Sequence, residues 1–510
     1  MKPINTLAKG AVIAFIGLFL SKILGYIYRL VIARTGAEDY GLISIALGII
    51  SISVLFPIFG LDSGVLRYVA YFKGKRENRN AYNVLRISLL ISFVFSWIVS
   101  GLLFLLSDDI SILIFHNPKL TLVLRLFSLT IPFYALDRIG LAALRSINKV
   151  QYEVYSKVLF HNITKIILTL LFVYLGFGLF GLSFAFLISV IGMGLLSFYF
   201  LYKKFPRLYQ NSLSLKDFRA IPLLREIYHY SWPLLFFSYC YVIFSWTDTL
   251  MIGHFLNASQ AGIYNVALPT AAFLVVVPVA LRNLFMPIIT ASYAKKEYKQ
   301  IRPVYDSVVR WTFLVNLPVL LFTLLFSKQI ITILFGAEYT SGFLCLLILS
   351  IGYFSLSLLD VSMSVLNMIK KSILNFYNGI AMIILNVILN ALLIPRYGIV
   401  GGALATTISL ITLGVLCAIE GWYYTKLLPI QVYFVKLIIL STTSVVFIWG
   451  VNQIISLVDF VDLLFFAFYF VGFYIALILF TRSLKIEDLD LIKSVFVKLK
   501  SIGKPINHKE

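Results

Sequence analysis

Two positively charged residues, Lys22 and Arg29, lie in an otherwise apolar run that begins near Gly10 and ends near Ala33. Because a helix rises 1.5 Å per residue, Lys22 would lie about 18 Å into a hydrocarbon layer about 30 Å thick. A cation at that depth costs about 2.5 kcal/mol or more unless something compensates it. The seven-residue spacing places both cations on one face of a helix, where together they could attract an anion.

Other charged residues also fall within apolar runs. We take the cations among them as candidate anion-binding residues, because Lys and Arg hold phosphate oxygens by charge-assisted hydrogen bonds: Lys22, Arg29, Arg125, Arg138, Lys165 and Arg282. Two acids, Asp248 and Asp360, are candidates for binding a coupling ion, either a proton or a sodium ion. The alternative is that long side chains only reach the head groups, and that Asp248 only pairs with Arg282 or another buried cation and holds the lobe together.

The composition identifies the solvent of this chain as a lipid bilayer. Of its 510 residues, 60% are hydrophobic and 13% are charged, and the mean hydropathy is +0.95. The net charge of +21 is spread over short connections and does not form one basic domain, so nucleic acid is not an expected partner. The three cysteines are too dispersed for a disulfide framework or a metal site.

Apolar runs of about 17 to 25 residues predict fourteen spans. They lie near 10–33, 41–61, 84–106, 120–144, 158–175, 179–201, 229–254, 262–286, 309–327, 343–363, 376–394, 399–424, 433–456 and 460–481. Lys and Arg concentrate in the two tails and in alternate connections, whereas the other connections carry only Arg34, Lys119, Lys328 and Arg396. This asymmetry predicts a multi-pass protein of the cell membrane with both termini in the cytoplasm.

The two halves of the chain resemble each other at a constant offset. SDDISILIF at 107–115 returns as SKQIITILF at 327–335, and FGLFGLSFAFLIS at 177–189 returns as YGIVGGALATTIS at 397–409. Near the start, Tyr40-Gly41-Leu42 corresponds to Ala261-Gly262-Ile263. Each copy holds six spans, an even number, so both copies enter the membrane in the same direction as parallel repeats.

The predicted fold is therefore an all-α polytopic membrane protein of about 14 transmembrane helices, arranged as two parallel six-helix repeats plus two C-terminal helices. Its parts are an N-terminal lobe (1–201), a basic cytoplasmic linker (202–228), a second lobe (229–424), two additional helices (425–481) and a basic cytoplasmic tail (482–510). Two such bundles are the usual plan of an alternating-access transporter.

Several stretches resemble the polysaccharide and lipid-linked oligosaccharide flippases of the multidrug/oligosaccharidyl-lipid/polysaccharide (MOP) exporter superfamily. The first repeat reads SKILGYIYRLVIARTGAEDYGLISIA at 21–46, and the second reads SWPLLFFSYCYVIFSWTDTLMIGHFLNASQAGIYNVA at 231–267. Within the second, the matching residues are Pro233, Asp248, Gly253, Gly262, Tyr264 and Ala267. The segment YGIVGGALATTIS is a third match, and the resemblance covers essentially the whole chain.

This resemblance implies two lobes that open alternately to the two sides of the membrane. The implied cargo is an anionic oligosaccharide or polysaccharide precursor linked to an isoprenoid (pyro)phosphate, with membrane lipids and glycan-assembly enzymes as partners. In related flippases a cation at the place of Lys22 lies in the central cavity, and we carry that role to Lys22 and then to Arg29. The resemblance implies no catalytic residue, metal or cofactor, so an ion gradient, the membrane potential or consumption of the product would supply the energy.

Three other functions stay open at this point. A cation-coupled multidrug exporter of the same superfamily would need acids in its cavity, and the first lobe offers only Asp137. A membrane glycan polymerase or glycosyltransferase would need an outer domain or a supported acidic pair. The outer connections are short, and the acidic pairs Asp108-Asp109 and Glu38-Asp39 lie in connections with no supporting domain. A scaffold for glycan assembly would leave the charges within the spans unexplained.

Overall fold

In a computed structural model, the protein is a succession of α-helices; the structure describes residues 3–206, 239–294, 298–429, 433–454 and 459–481. In the first half the helices are α1 (Pro3–Ala33), α2 (Ala37–Ser53), α3 (Leu55–Ile58), α4 (Leu61–Gly74), α5 (Asn78–Leu105), α6 (Ser107–Asp109), α7 (Lys119–Ser128), α8 (Ile131–Ser146), α9 (Gln151–Glu153), α10 (Asn162–Tyr174) and α11 (Gly178–Lys204). The remainder are α12 (239–255), α13 (Ala258–Ala271), α14 (Val276–Ala294), α15 (Tyr298–Phe335), α16 (Phe343–Met368), α17 (Ser372–Tyr397), α18 (Ile399–Thr425), α19 (Tyr433–Ile454) and α20 (Phe460–Phe480).

Thirteen helical segments of the described residues are long and apolar enough to cross a membrane. The prediction of an all-α, multi-pass membrane protein is therefore confirmed. The seventh predicted span, 229–254, begins outside the described residues and continues as α12, so the number of fourteen stays a prediction. Of the predicted linker 202–228, residues 202–204 belong to the end of α11, and the part from 207 onward lies outside the described residues, as does the tail from 482.

One predicted connection, 62–83, is largely helical. Leu61, Val65, Tyr68, Val69 and Phe72 are buried along α4, and their spacing of one, three and four residues gives the helix an apolar face. The chain breaks before α4, where Phe59 and Gly60 have φ of 48° and 69°. The sequence pattern missed α4 because a search for long apolar runs discards an amphipathic helix.

The described residues form two compact units. Unit 1 comprises Met1–Pro269, Phe335–Cys345 and Gly379–Thr406, and unit 2 comprises Thr270–Leu334, Leu346–Asn378 and Thr407–Glu510. In unit 1, α8 packs against α4, α5 and α11, and α1 packs against α10. These units cut across the predicted boundary near residue 229, so the division into two six-helix lobes stays a prediction.

The last two helices belong to unit 2 and pack on the long helix α15. The ring of Phe434 in α19 stacks on that of Phe313 in α15, with centroids 3.9 Å apart. Tyr474 in α20 donates a hydrogen bond to the Leu314 carbonyl at 3.0 Å. Aromatic pairs of this kind add to the stabilisation from buried area, so α19 and α20 are integral to unit 2.

Candidate functional site

Helix α1 carries the cations that opened the sequence analysis. Lys22 is exposed and forms no hydrogen bond or ion pair with any residue that the structure describes. Two turns further along, Arg29 is half-buried and donates from Nη1 to the Tyr40 hydroxyl at 3.1 Å and to the Asn265 carbonyl at 3.5 Å. Both acceptors are neutral, so neither supplies a negative charge to balance the guanidinium.

Lys165 of α10 lies next to this part of α1. Its Nζ is 4.0 Å from the centroid of the Tyr28 ring and 3.4 Å from Oδ1 of Asn162. The side chain is buried, with 7% of the residue exposed. A cation–π contact and one amide oxygen compensate a buried ammonium only in part. Lys165 therefore adds a second uncompensated charge beside Arg29.

The other three candidate cations each have an acidic partner. Arg125 binds Asp108 at 2.5 Å, Arg138 lies 3.8 Å from Asp62, and Arg282 binds Asp360 at 2.7 Å. Among the described residues, Lys22, Arg29 and Lys165 have no carboxylate within ion-pair distance. Of the six candidate cations, the three without an acidic partner therefore lie on α1 and α10 of unit 1.

Asp248 of α12 lies in a cage of neutral donors. The Tyr264 hydroxyl donates to its Oδ2 at 2.5 Å, and Thr406 donates to the same oxygen. Two amides one turn apart on α17, Asn386 and Asn390, donate to Oδ1 at 3.3 and 2.8 Å. The residue is 4% exposed. The alternative that Asp248 pairs with Arg282 is wrong, because Arg282 binds Asp360 within unit 2.

Such a cage suits a carboxylate that exchanges a cation. A buried negative charge is costly without a counter-charge, and four hydrogen bonds stabilise it only in part. The carboxylate oxygens of Asp248 and the hydroxyl oxygen of Thr406 are hard ligands of the kind that a sodium ion prefers, and the carboxylate alone is sufficient for a proton. Asn386 and Asn390 present their NH2 groups to the carboxylate. By contrast, the charge of Asp360 is already matched by Arg282.

Helices α2 and α13 meet backbone to backbone beside these groups. A methyl group on Gly41 would overlap the carbonyl oxygen of Ala258, and a methyl group on Gly262 would overlap that of Ala37. These four residues form a reciprocal pair of contacts. Small residues at such positions allow close helix approach in membranes.

Sequence reasoning missed the neutral partners of these charges. The sequence marks Tyr40 only through the internal repeat and Tyr264 only through the family resemblance, and it does not mark Asn265, because single tyrosines and amides are common in membrane helices. The pair Asn386 and Asn390 offered a signal, since two amides at a spacing of four in an apolar run mark one polar helix face. Asp62, the partner of Arg138, was assigned to a connection.

Comparison with known proteins agrees with the resemblance seen in the sequence. A family model described as polysaccharide biosynthesis protein matches residues 31–343. An uncharacterized membrane protein of Methanocaldococcus jannaschii is 24% identical, over 96% of this chain and 98% of its own. A probable low-salt glycan biosynthesis flippase of Haloferax volcanii is 30% identical over 36% of this chain and 39% of its own.

The fold also has a solved counterpart. The lipid II flippase MurJ, in an inward closed conformation, superposes with a TM-score of 0.69 at 18% identity, covering 92% of this chain and 99% of that chain. The family match spans more than half of the residues, and the fold likeness extends over nearly all of them. The chain therefore belongs to the polysaccharide biosynthesis protein family and shares the fold of MurJ.

Proposed function

We propose that this protein is an alternating-access flippase. It moves an anionic oligosaccharide or polysaccharide precursor, linked to an isoprenoid (pyro)phosphate, from the cytoplasmic to the outer leaflet of the cell membrane. The observation that carries the proposal is the group of three cations in unit 1, Lys22, Arg29 and Lys165, without a carboxylate partner among the described residues. A phosphate would supply the missing negative charge.

A multidrug exporter for cationic compounds is less well supported. It would need carboxylates free to face its cargo, whereas Asp137 is 2% exposed and accepts a hydrogen bond from Ser197 at 2.5 Å. Asp62 and Asp360 lie beside Arg138 and Arg282. A membrane glycosyltransferase or polymerase is also less well supported, because Asp108 of the acidic pair Asp108-Asp109 binds Arg125. These carboxylates are buried or paired, whereas three cations have no carboxylate partner among the described residues, and this favours an anionic cargo.

We further propose that Asp248 binds the ion that drives transport, a proton or a sodium ion. Its cage holds a buried charge with neutral donors only, so arrival of a cation changes the local charge balance strongly. An ion that binds one conformation better than the other shifts the equilibrium between them. No catalytic residue, resident metal or organic cofactor is part of this proposal.

The test uses the purified protein in proteoliposomes with a fluorescent polyprenyl-diphosphate oligosaccharide. Membrane-impermeant dithionite reports the fraction of lipid in the outer leaflet. Lys22→Ala should abolish flipping, whereas Lys22→Arg should retain part of it, because attraction to phosphate needs positive charge at that depth. Lys436→Ala is the matched control, since Lys436 is exposed and donates only to the Thr481 carbonyl at 2.9 Å. Full activity of Lys22→Ala would remove the main support for this function.

A further inference from the structure

Within unit 1, Arg29 and Asp248 are connected by hydrogen bonds to two adjacent residues of α13, Asn265 on the Arg29 side and Tyr264 on the Asp248 side. Arg29 donates to the Tyr40 hydroxyl at 3.1 Å, and that hydroxyl donates to the Asn265 carbonyl of α13 at 2.9 Å. Tyr40 is 1% exposed, so no water competes for its hydroxyl in the described arrangement.

The residue of α13 that precedes Asn265 contacts Asp248. Tyr264, adjacent to Asn265, donates to Asp248 at 2.5 Å. The Asn265 amide donates to the Thr249 hydroxyl at 3.0 Å, and Thr249 is adjacent to Asp248. Two consecutive residues of one helix therefore contact the surroundings of both charges.

Helix α13 has little freedom to absorb a change at one end. Its Gly262 lies against the Ala37 carbonyl of α2, and Gly41 of α2 lies against its Ala258 carbonyl. Tightly packed elements respond to a small displacement by shifting together, because close-packed interiors deform little. A movement of Tyr40 on α2 is thereby transmitted to Asn265 and Tyr264.

We propose that Tyr40 and Tyr264 are positioning residues that make anion binding at Arg29 depend on whether a cation occupies Asp248. The inference rests on the proposed function and adds the route between its two sites. A phosphate on Arg29 competes with the Tyr40 hydroxyl and the Asn265 carbonyl for the guanidinium. A cation on Asp248 competes with the Tyr264 hydroxyl for the carboxylate. By linkage, each ligand then changes the affinity of the other by the same factor.

The test is a double-mutant cycle on the full-length protein in nanodiscs, with farnesyl diphosphate as the probe. Asp248→Asn imitates a neutralised carboxylate and should change the Kd of the probe by about fivefold or more, the usual lower range for linked sites. Combined with Tyr40→Phe, which removes only the hydroxyl, Asp248→Asn should change the Kd less than about twofold. Tyr264→Phe provides a second, independent cycle should Tyr40→Phe fail to fold.

Tyr339→Phe is the matched control. Its ring lies edge-on to that of Tyr40, with centroids 6.4 Å apart, and it is likewise 1% exposed, but its hydroxyl donates to the Ala33 carbonyl at 2.8 Å and not to Arg29, Asn265 or Asp248. Tyr339→Phe keeps the ring and removes only that hydroxyl. The effect of Asp248→Asn should persist in this background. The inference is overturned if Asp248→Asn has no effect on the Kd, or if its effect survives both Tyr40→Phe and Tyr264→Phe. Failure of the proposed function is seen separately, as probe binding that is unchanged by Lys22→Ala.

Discussion

Gly41 of α2 and Gly262 of α13 each lie against a carbonyl oxygen of the other helix, Ala258 for Gly41 and Ala37 for Gly262. Neither position has room for a methyl group. The contact holds together α2 and α13, the helices that carry Tyr40 and Asn265. It is therefore a sensitive point for both stability and transport.

Gly41→Ala should lower the thermal stability of the purified protein, because the methyl group overlaps backbone that cannot rotate away. Gly101→Ala is the control: Gly101 lies inside α5 with nothing within 4 Å of an added methyl group. An alanine there should be neutral or stabilising, since glycine costs about 1 kcal/mol relative to alanine inside a helix. Equal melting temperatures for the two variants would contradict the close contact.

The ion pair between Arg282 and Asp360 separates a structural role from a cargo-binding role. Arg282→Met alone leaves a mostly buried carboxylate unpaired and should destabilise the protein by about 3 kcal/mol. Asp360→Leu added to it should restore most of the stability. If transport recovers with stability, Arg282 serves the fold. If the stable double variant remains inactive, the pair has a role in transport, through Arg282 as a cargo-binding residue or Asp360 as an ion-coupling residue.

The pairing of candidate charges shows what the sequence could and could not predict. Lys22, Arg29, Lys165 and Asp248 were found by type alone, because an ionisable residue in an apolar run is conspicuous wherever it folds. Which of them stay uncompensated depends on contacts between distant segments. By residue type and position in an apolar run, Arg125 and Arg138 are equivalent to Lys165. Their acidic partners, Asp108 and Asp62, distinguish them from it. The fold class needed only hydropathy, whereas helix α4 was hidden by its amphipathic pattern.

The charge asymmetry of the connections predicts the orientation in the membrane. Single cysteines introduced at Lys119 and Asn257, both exposed, should react with an impermeant maleimide added outside intact cells. Cysteines at Arg76 and Lys371, also exposed, should react only after the membrane is permeabilised. Labelling of the second pair from outside would reverse the orientation and the proposed direction of transport.

Asp248→Asn should leave a folded protein that still binds the glycan lipid but no longer responds to an imposed proton or sodium gradient. Neutral donors surround the carboxylate, so an amide of similar shape is tolerated without leaving a lone charge. Asp137→Asn is the matched control, because Asp137 is also buried but, among the described residues, accepts a side-chain hydrogen bond from Ser197 alone. An Asp248→Asn protein whose transport keeps its gradient dependence would rule out coupling at this site.

The central claim is that this protein recognises its cargo by negative charge. The most direct measurement compares two fluorescent lipids in the same wild-type proteoliposomes, one with the oligosaccharide joined through a diphosphate and one joined through an uncharged ether. We expect the diphosphate lipid to be flipped about tenfold faster or more than the ether lipid, which corresponds to a difference of about 1.4 kcal/mol in activation free energy. Equal rates for the two lipids would contradict it.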